Sequence, residues 1–173
     1  FSDNVLERES NNFLAAVYLE NGNHAVAFVD VSTGEFMVAE GNHEYVERLL
    51  HNMDPAEVIL QKQQQQQFFD RFGPFNTFAF DDWVFSEQYA NDLLTRQFET
   101  HNLKGFGIDK MPAATICAGA VLHYIQETRR DKLPHITSIA RLDDGKSLWL
   151  DHFTIRNLEL VQSYNIQGKT LLE

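Results

Sequence analysis

Apolar and polar positions along the chain change period several times, and each change marks an element. Phe13 to Leu19 is continuously apolar and reads as a strand. Asn21-Gly22-Asn23 is a hairpin signal, and Ala25 to Val31 is a second strand. Ser32-Thr33-Gly34 turns the chain into a third strand, Glu35 to Ala39. The period then becomes helical. From His43 to Met53, Tyr45, Val46, Leu49, Leu50 and Met53 share one stripe, and Asp54-Pro55 ends the run. Val58-Ile59-Leu60 is a short buried strand, Lys62 to Phe72 a helix closed by Gly73-Pro74, and Phe75 to Phe80 a fifth strand. Ser86 caps a helix to about Phe98, with Tyr89, Leu93, Leu94 and Phe98 facing inward. Met111-Pro112 opens a helix to about Arg130, Pro112 suiting its first turn.

The order β-β-β-α-β-α-β-α-α predicts an α/β domain over residues 1–132. A meander followed by two crossovers gives an RNase H-like mixed five-stranded sheet, order three, two, one, four, five, flanked by helices. Residues 133–173 form a junction and the truncated start of a second, helical domain. Its first helix is expected from Asp151 to about Gln162, with Phe153, Leu158 and Val161 apolar.

Composition narrows the function. Apolar content of 43% with 14 Phe supports a packed core, and no apolar run is long enough for a membrane span. The single Cys117 excludes an internal disulfide and fits a reducing cytoplasm. A net charge of −11 repels phosphate, so direct DNA binding by these residues is disfavoured. Arg129-Arg130 and Lys132, the basic cluster, suit a helix C-terminus.

An RNase H-like fold raises the possibility of a nuclease, whose two metals need acids converging on one sheet edge. Strand one contains no acid and strand four ends at Gln61. Asp30 suits the support of the turn at Ser32-Thr33-Gly34, and Glu44 and Glu47 a solvated helix face. Gly168-Lys169-Thr170 resembles the end of a phosphate loop, but Ser163 stands where that loop needs glycine, so it reads as a turn. His43 and His51 lie two helical turns apart, without a Cys or acid at metal-ligand spacing. His123 suits a hydrogen-bonded core position and His135 the ordering of a turn. Gln63 to Gln67 reads as a solvated helix face, and Gly105-Phe106-Gly107 as a sharp turn with Phe106 as its anchor.

Several segments, in order, resemble the MutS family of DNA mismatch repair proteins. Asn11-Asn12-Phe13-Leu14-Ala15-Ala16 resembles the start of its connector domain, and Asp30-Val31-Ser32-Thr33-Gly34-Glu35-Phe36 a characteristic turn. Pro55-Ala56-Glu57-Val58-Ile59, Cys117-Ala118-Gly119-Ala120-Val121-Leu122, Leu133-Pro134-His135-Ile136 and Arg156-Asn157-Leu158-Glu159-Leu160 follow. The Gln tract and Ile155, where a second basic residue is common, are the departures. The resemblance implies a connector domain plus the start of the core or lever domain, excised from a longer parent. It implies a non-catalytic piece linking mismatch-binding and lever/ATPase parts, with no cofactor of its own; ATP and magnesium belong to the parent. It also implies MutL as partner, and mismatched DNA through the parent only. Asn91, Asp92 and Thr95, outside the inward stripe of their helix, are the candidate docking residues. The alternatives are a degenerate RNase H-like nuclease, which would cut DNA with metal, and a ligand-binding module, which would carry a polar pocket at the sheet edge.

Overall fold

The computed structural model describes residues 13–142. The chain divides into two compact units, Phe1–Arg141 and Leu142–Glu173, and the elements below belong to the first. The helix expected at 151–162, the turn at 168–170 and the Arg156–Leu160 run lie outside the described residues.

Six strands form one sheet in the order β5-β4-β1-β2-β3-β6. They are β1 (Phe13–Tyr18), β2 (His24–Asp30), β3 (Phe36–Gly41), β4 (Glu57–Gln61), β5 (Thr77–Phe80) and β6 (Ala140–Arg141). β1, β2 and β3 are antiparallel, with Leu14 opposite Val29 and Ala27 opposite Val38. β4 joins β1 in parallel, β5 joins β4 in parallel, and β6 joins β3 in parallel. The order three, two, one, four, five is the one expected. The sixth strand lies in the segment expected to be a junction. Two residues are too few to show a period, and only pairing with Met37 and Val38 makes them a strand.

Among the described residues four α-helices accompany the sheet: α1 (His43–Met53), α2 (Gln65–Phe72), α3 (Glu87–Gln97) and α4 (Pro112–Thr128). Asn42 caps α1, its side chain accepting from the Tyr45 N–H at 2.9 Å. Asp54 ends α1 in the left-handed conformation, φ 46°. α4 is apolar around most of its circumference and buries Ala113 through His123 against the sheet and α3. Its first turn has no local side-chain cap, since Met111 stands at that position. The carboxylate of Glu40, at the end of β3, accepts from the Ala114 N–H at 3.0 Å and supplies the missing anion.

Two glycines permit close approaches. Gly119 on α4 faces Ala90 on α3, where an added Cβ would lie 2.6 Å from the Ala90 Cα. Gly34, φ +84°, turns β2 into β3 directly against the His135 carbonyl. The turn is further held by Asp30, whose Oδ1 accepts from the N–H groups of Ser32 at 2.9 Å and Thr33 at 3.3 Å.

The glutamine run is more than a solvated face. Lys62–Gln64 is a 3-10 turn before α2. The Gln64 side chain donates to the Leu19 carbonyl and accepts from its N–H, both at 2.9 Å, replacing a strand neighbour beyond the end of β4. Gln63 donates to Asp82 at 2.8 Å, and Gln65 to the Thr77 hydroxyl at 3.2 Å.

Gly34→Ala should cost about 2 kcal/mol or more, through left-handed strain and the encounter with His135. A lower urea midpoint with unchanged slope is the expected readout, and an unchanged midpoint contradicts it.

His24 is fully buried at the start of β2, its Nδ1 accepting from the Glu20 N–H at 3.2 Å. It faces Phe72 at 5.9 Å and His43 at 6.4 Å between ring centroids. Burial first, then Arg71 and His43, lower its pKa below 6.5. The unfolded chain therefore binds a proton at His24 more readily than the folded one. The contribution is complete above about pH 6.5 and is lost as pH falls toward the folded value. His24→Asn keeps an acceptor at the Nδ1 position and removes the proton site. Its stability should fall less steeply than wild type between about pH 7 and pH 5, measured by urea unfolding. Parallel slopes for the two proteins would refute the assignment.

Candidate functional site

α3 presents the face expected from the sequence. The Ser86 hydroxyl accepts from the Tyr89 N–H at 3.2 Å and starts the helix, with Glu87 in the first turn and Arg96 in the last. Ala90, Leu93 and Leu94 are buried, while Tyr89 and Phe98 are half-buried on the same side. The spacing of three and four residues leaves Gln88, Asn91 and Asp92 exposed.

Thr95 belongs to the same group but is only half-exposed. Its hydroxyl donates within the helix, to the Asn91 carbonyl at 2.8 Å and the Asp92 carbonyl at 3.3 Å. The three residues are therefore together, with Asn91 and Asp92 exposed and Thr95 bonded within the helix. The Gln88 amide lies 3.4 Å from the Asp92 carboxylate, which fixes it loosely without neutralising it. Glu99, φ +54°, reverses the chain after the helix, and Thr95, Arg96, Glu99, Thr100 and His101 line a shallow open depression there.

The inner side of α3 is tied down by bonds that local patterning does not reveal. The Gln97 amide donates to the carbonyls of Leu133 and Ile136, both at 2.9 Å. The Tyr89 hydroxyl and His123 Nδ1 are 2.7 Å apart. Burial raises the Tyr89 pKa, against a smaller opposing pull from Arg96, and burial lowers that of His123. The pair is thus held neutral, a hydrogen-bonded core histidine as expected. Trp83 packs edge-on over both rings, 5.2 Å from Tyr89 and 5.4 Å from His123.

The other candidates are dispersed. Asp30 is occupied in its turn. Glu57, at the start of β4, accepts a hydrogen bond from the Tyr124 hydroxyl; burial and Glu57 push the Tyr124 pKa up to about 12. Burial drives the Cys117 thiol well above its ordinary range. His43 and His51 do have an acid between them: Glu47 is 3.4 Å from His43 and 3.9 Å from His51. The helical spacing of four makes these ordinary i,i+4 pairs, His43 and Glu47 half-buried and His51 exposed. Among the described residues no group of three or more His, Cys, Asp or Glu could hold a metal, and no helix is long and apolar enough to cross a membrane. Phe106, expected as an anchor, is half-buried against Phe98 at 4.9 Å.

Comparison with known proteins agrees with this geometry. A family model described as MutS domain II matches residues 12–137. The chain is 47% identical over 173 residues to the DNA mismatch repair protein MutS of Flavobacterium psychrophilum, covering 99% of this chain and 20% of that protein. It is 46% identical to DNA mismatch repair protein MutS of Flavobacterium johnsoniae over 173 residues, and 46% to that of Bacteroides thetaiotaomicron over 172. Both cover 99% of this chain and 20% of the relative, so the chain spans about a fifth of the length of the relatives it matches.

Proposed function

The chain belongs to the MutS family of DNA mismatch repair proteins, and on that premise we propose that it is the non-catalytic connector of a MutS polypeptide, with α3 as its docking surface for MutL. Residues 12–137 carry domain II of that family. In this reading the domain joins a mismatch-binding part to lever and ATPase parts. Mismatched DNA, ATP and magnesium are engaged by the parent outside these residues.

The observation that carries the reading is the contrast between the two sides of α3. One side is fixed by Gly119, Gln97 and the Tyr89–His123 bond. The other offers Asn91 and Asp92 to solvent. A rigid helix presenting an uncompensated carboxylate loses little conformational freedom on association. Its charge steers a basic partner and fixes register more than it adds affinity. The chemistry of β1 points the same way. Its centre, Ala15-Ala16-Val17, is fully buried and holds no acid for a metal-dependent cut.

Asp92→Arg in the full-length parent should slow MutL capture on mismatched DNA with ATP by about fivefold or more at low salt, leaving mismatch binding intact. Asn91→Arg should act in the same direction. Raising the salt should narrow the gap between wild type and Asp92→Arg, because the steering is electrostatic. Unchanged capture by both variants would remove α3 from the interface. The purified 173-residue chain by itself should neither cut DNA with magnesium or manganese nor bind ATP with micromolar affinity, and cleavage abolished by Asp30→Asn would overturn the non-catalytic reading.

A further inference from the structure

β5 ends the sheet, and its outer edge is unlike the edges that soluble proteins usually leave free. Among the described residues it is paired only with β4, from Val58 opposite Thr77 to Gln61 opposite Phe80. Exposed edges are normally blunted by a lysine, a proline or a bulge. β5 reads Thr77-Phe78-Ala79-Phe80; its four residues make it a short edge, but none of them is a lysine, a proline or any charged residue.

The two exposed large hydrophobic side chains among the described residues both lie here. Phe78 is 43% exposed and Trp83, in the 3-10 turn that follows, is 56% exposed. They are the ends of one aromatic strip. Phe78 packs on Phe80 at 5.0 Å and on Tyr124 at 5.5 Å. Phe80 packs on His123 at 4.9 Å, and His123 on Trp83 at 5.4 Å. The strip is preformed and its inner rings are fixed, so covering it removes apolar area from water with little ordering cost.

The charge around the strip is acidic. Asp82 accepts from the amides of Gln61 at 3.2 Å and Gln63 at 2.8 Å, which position its carboxylate and leave its charge in place. Glu57 lies at the Tyr124 end, and Glu127 acts electrostatically on His123. Asp81 is paired with Lys62 at 3.0 Å, and Arg129 acts on Tyr124. Four carboxylates against two cations favour a basic occupant and oppose a second copy of this edge, which would bring the acids together.

We propose that the free edge of β5, anchored by Phe78 and Trp83, receives an extended basic strand from the part of the parent polypeptide that lies outside this chain. The relatives are about five times as long as this chain, so most of such a polypeptide is available to supply it. The proposal rests on the reading of the chain as one part of a longer MutS polypeptide, and it concerns a surface other than α3. The incoming strand would use backbone hydrogen bonds to β5 for affinity. Its alternate side chains would lie on Phe78 and Phe80, with lysine or arginine reaching Asp82.

The test uses the full-length parent with p-benzoylphenylalanine, a photocrosslinking residue, in place of Phe78. The expected product is an intramolecular crosslink to a peptide outside these 173 residues that carries at least two lysines or arginines. Phe78→Lys should speed hydrogen exchange at residues 77–80 by about tenfold or more, with β1 exchange unchanged as the sign of an intact fold. Crosslinking to a second copy, to MutL, to a peptide of this same chain or to nothing would each overturn the proposal. So would unchanged exchange in Phe78→Lys. If the crosslink fails while Asp92→Arg still weakens MutL capture, the edge proposal alone is wrong. If the crosslink forms and Asp92→Arg has no effect, the α3 reading alone is wrong.

Discussion

The packing of α4 across the sheet is the constraint on which the rest depends. This helix has almost no polar face; from Ala113 through His123 every residue is buried. A helix apolar all round cannot sit at a surface, so it needs the sheet on one side and α3 on another. Small residues make the double contact possible, with Ala113, Ala114, Ala118 and Ala120 in the core cluster and Gly119 against Ala90. Met111 at the cap position offers its first turn no local side-chain acceptor, and the distant Glu40 serves instead. A single helix thus determines where α3 lies, how β3 ends and which residues surround His123.

That arrangement also decides which surfaces remain. α4 takes the inward stripe of α3 and leaves Asn91 and Asp92 outside. It supplies Tyr124 and His123 to the aromatic strip but does not reach over Phe78 or Trp83. The two outward surfaces share the Tyr89–His123 pair beneath them.

Much of this was legible in the sequence where one short period dominates. The meander, α1, α3 and the start of α4 follow from turn residues, caps and apolar spacing, and so does the outward placement of Asn91 and Asp92. The parts that were not legible are long-range. Gln64 binds a residue 45 positions away, Gln97 reaches 36 and 39 positions, and Glu40 reaches 74. Nothing near these residues marks them, since a glutamine on a helix reads as solvated until its partner is brought to it. β6 exists only because β3 is beside it. Glu47 is a different case, since its spacing of four from both His43 and His51 was available in the sequence.

The centre of β1 carries no acid and no exposed position for one. A metal-dependent nuclease needs a carboxylate in the middle of that strand, facing solvent and metal. Here Ala15, Ala16 and Val17 are fully buried between β2 and β4, with layers on both faces. A carboxylate there would be desolvated without a partner, and would protonate or cost several kcal/mol. Of the three, Ala16 lies in the core cluster with the α4 residues, so an acid there would meet that apolar layer. The carboxylates that remain near the sheet are taken up by structure: Asp30 by its turn, Glu40 by the first turn of α4 and Glu57 by Tyr124. The side chains left exposed on α3 and β5 include Asn91, Asp92 and Phe78.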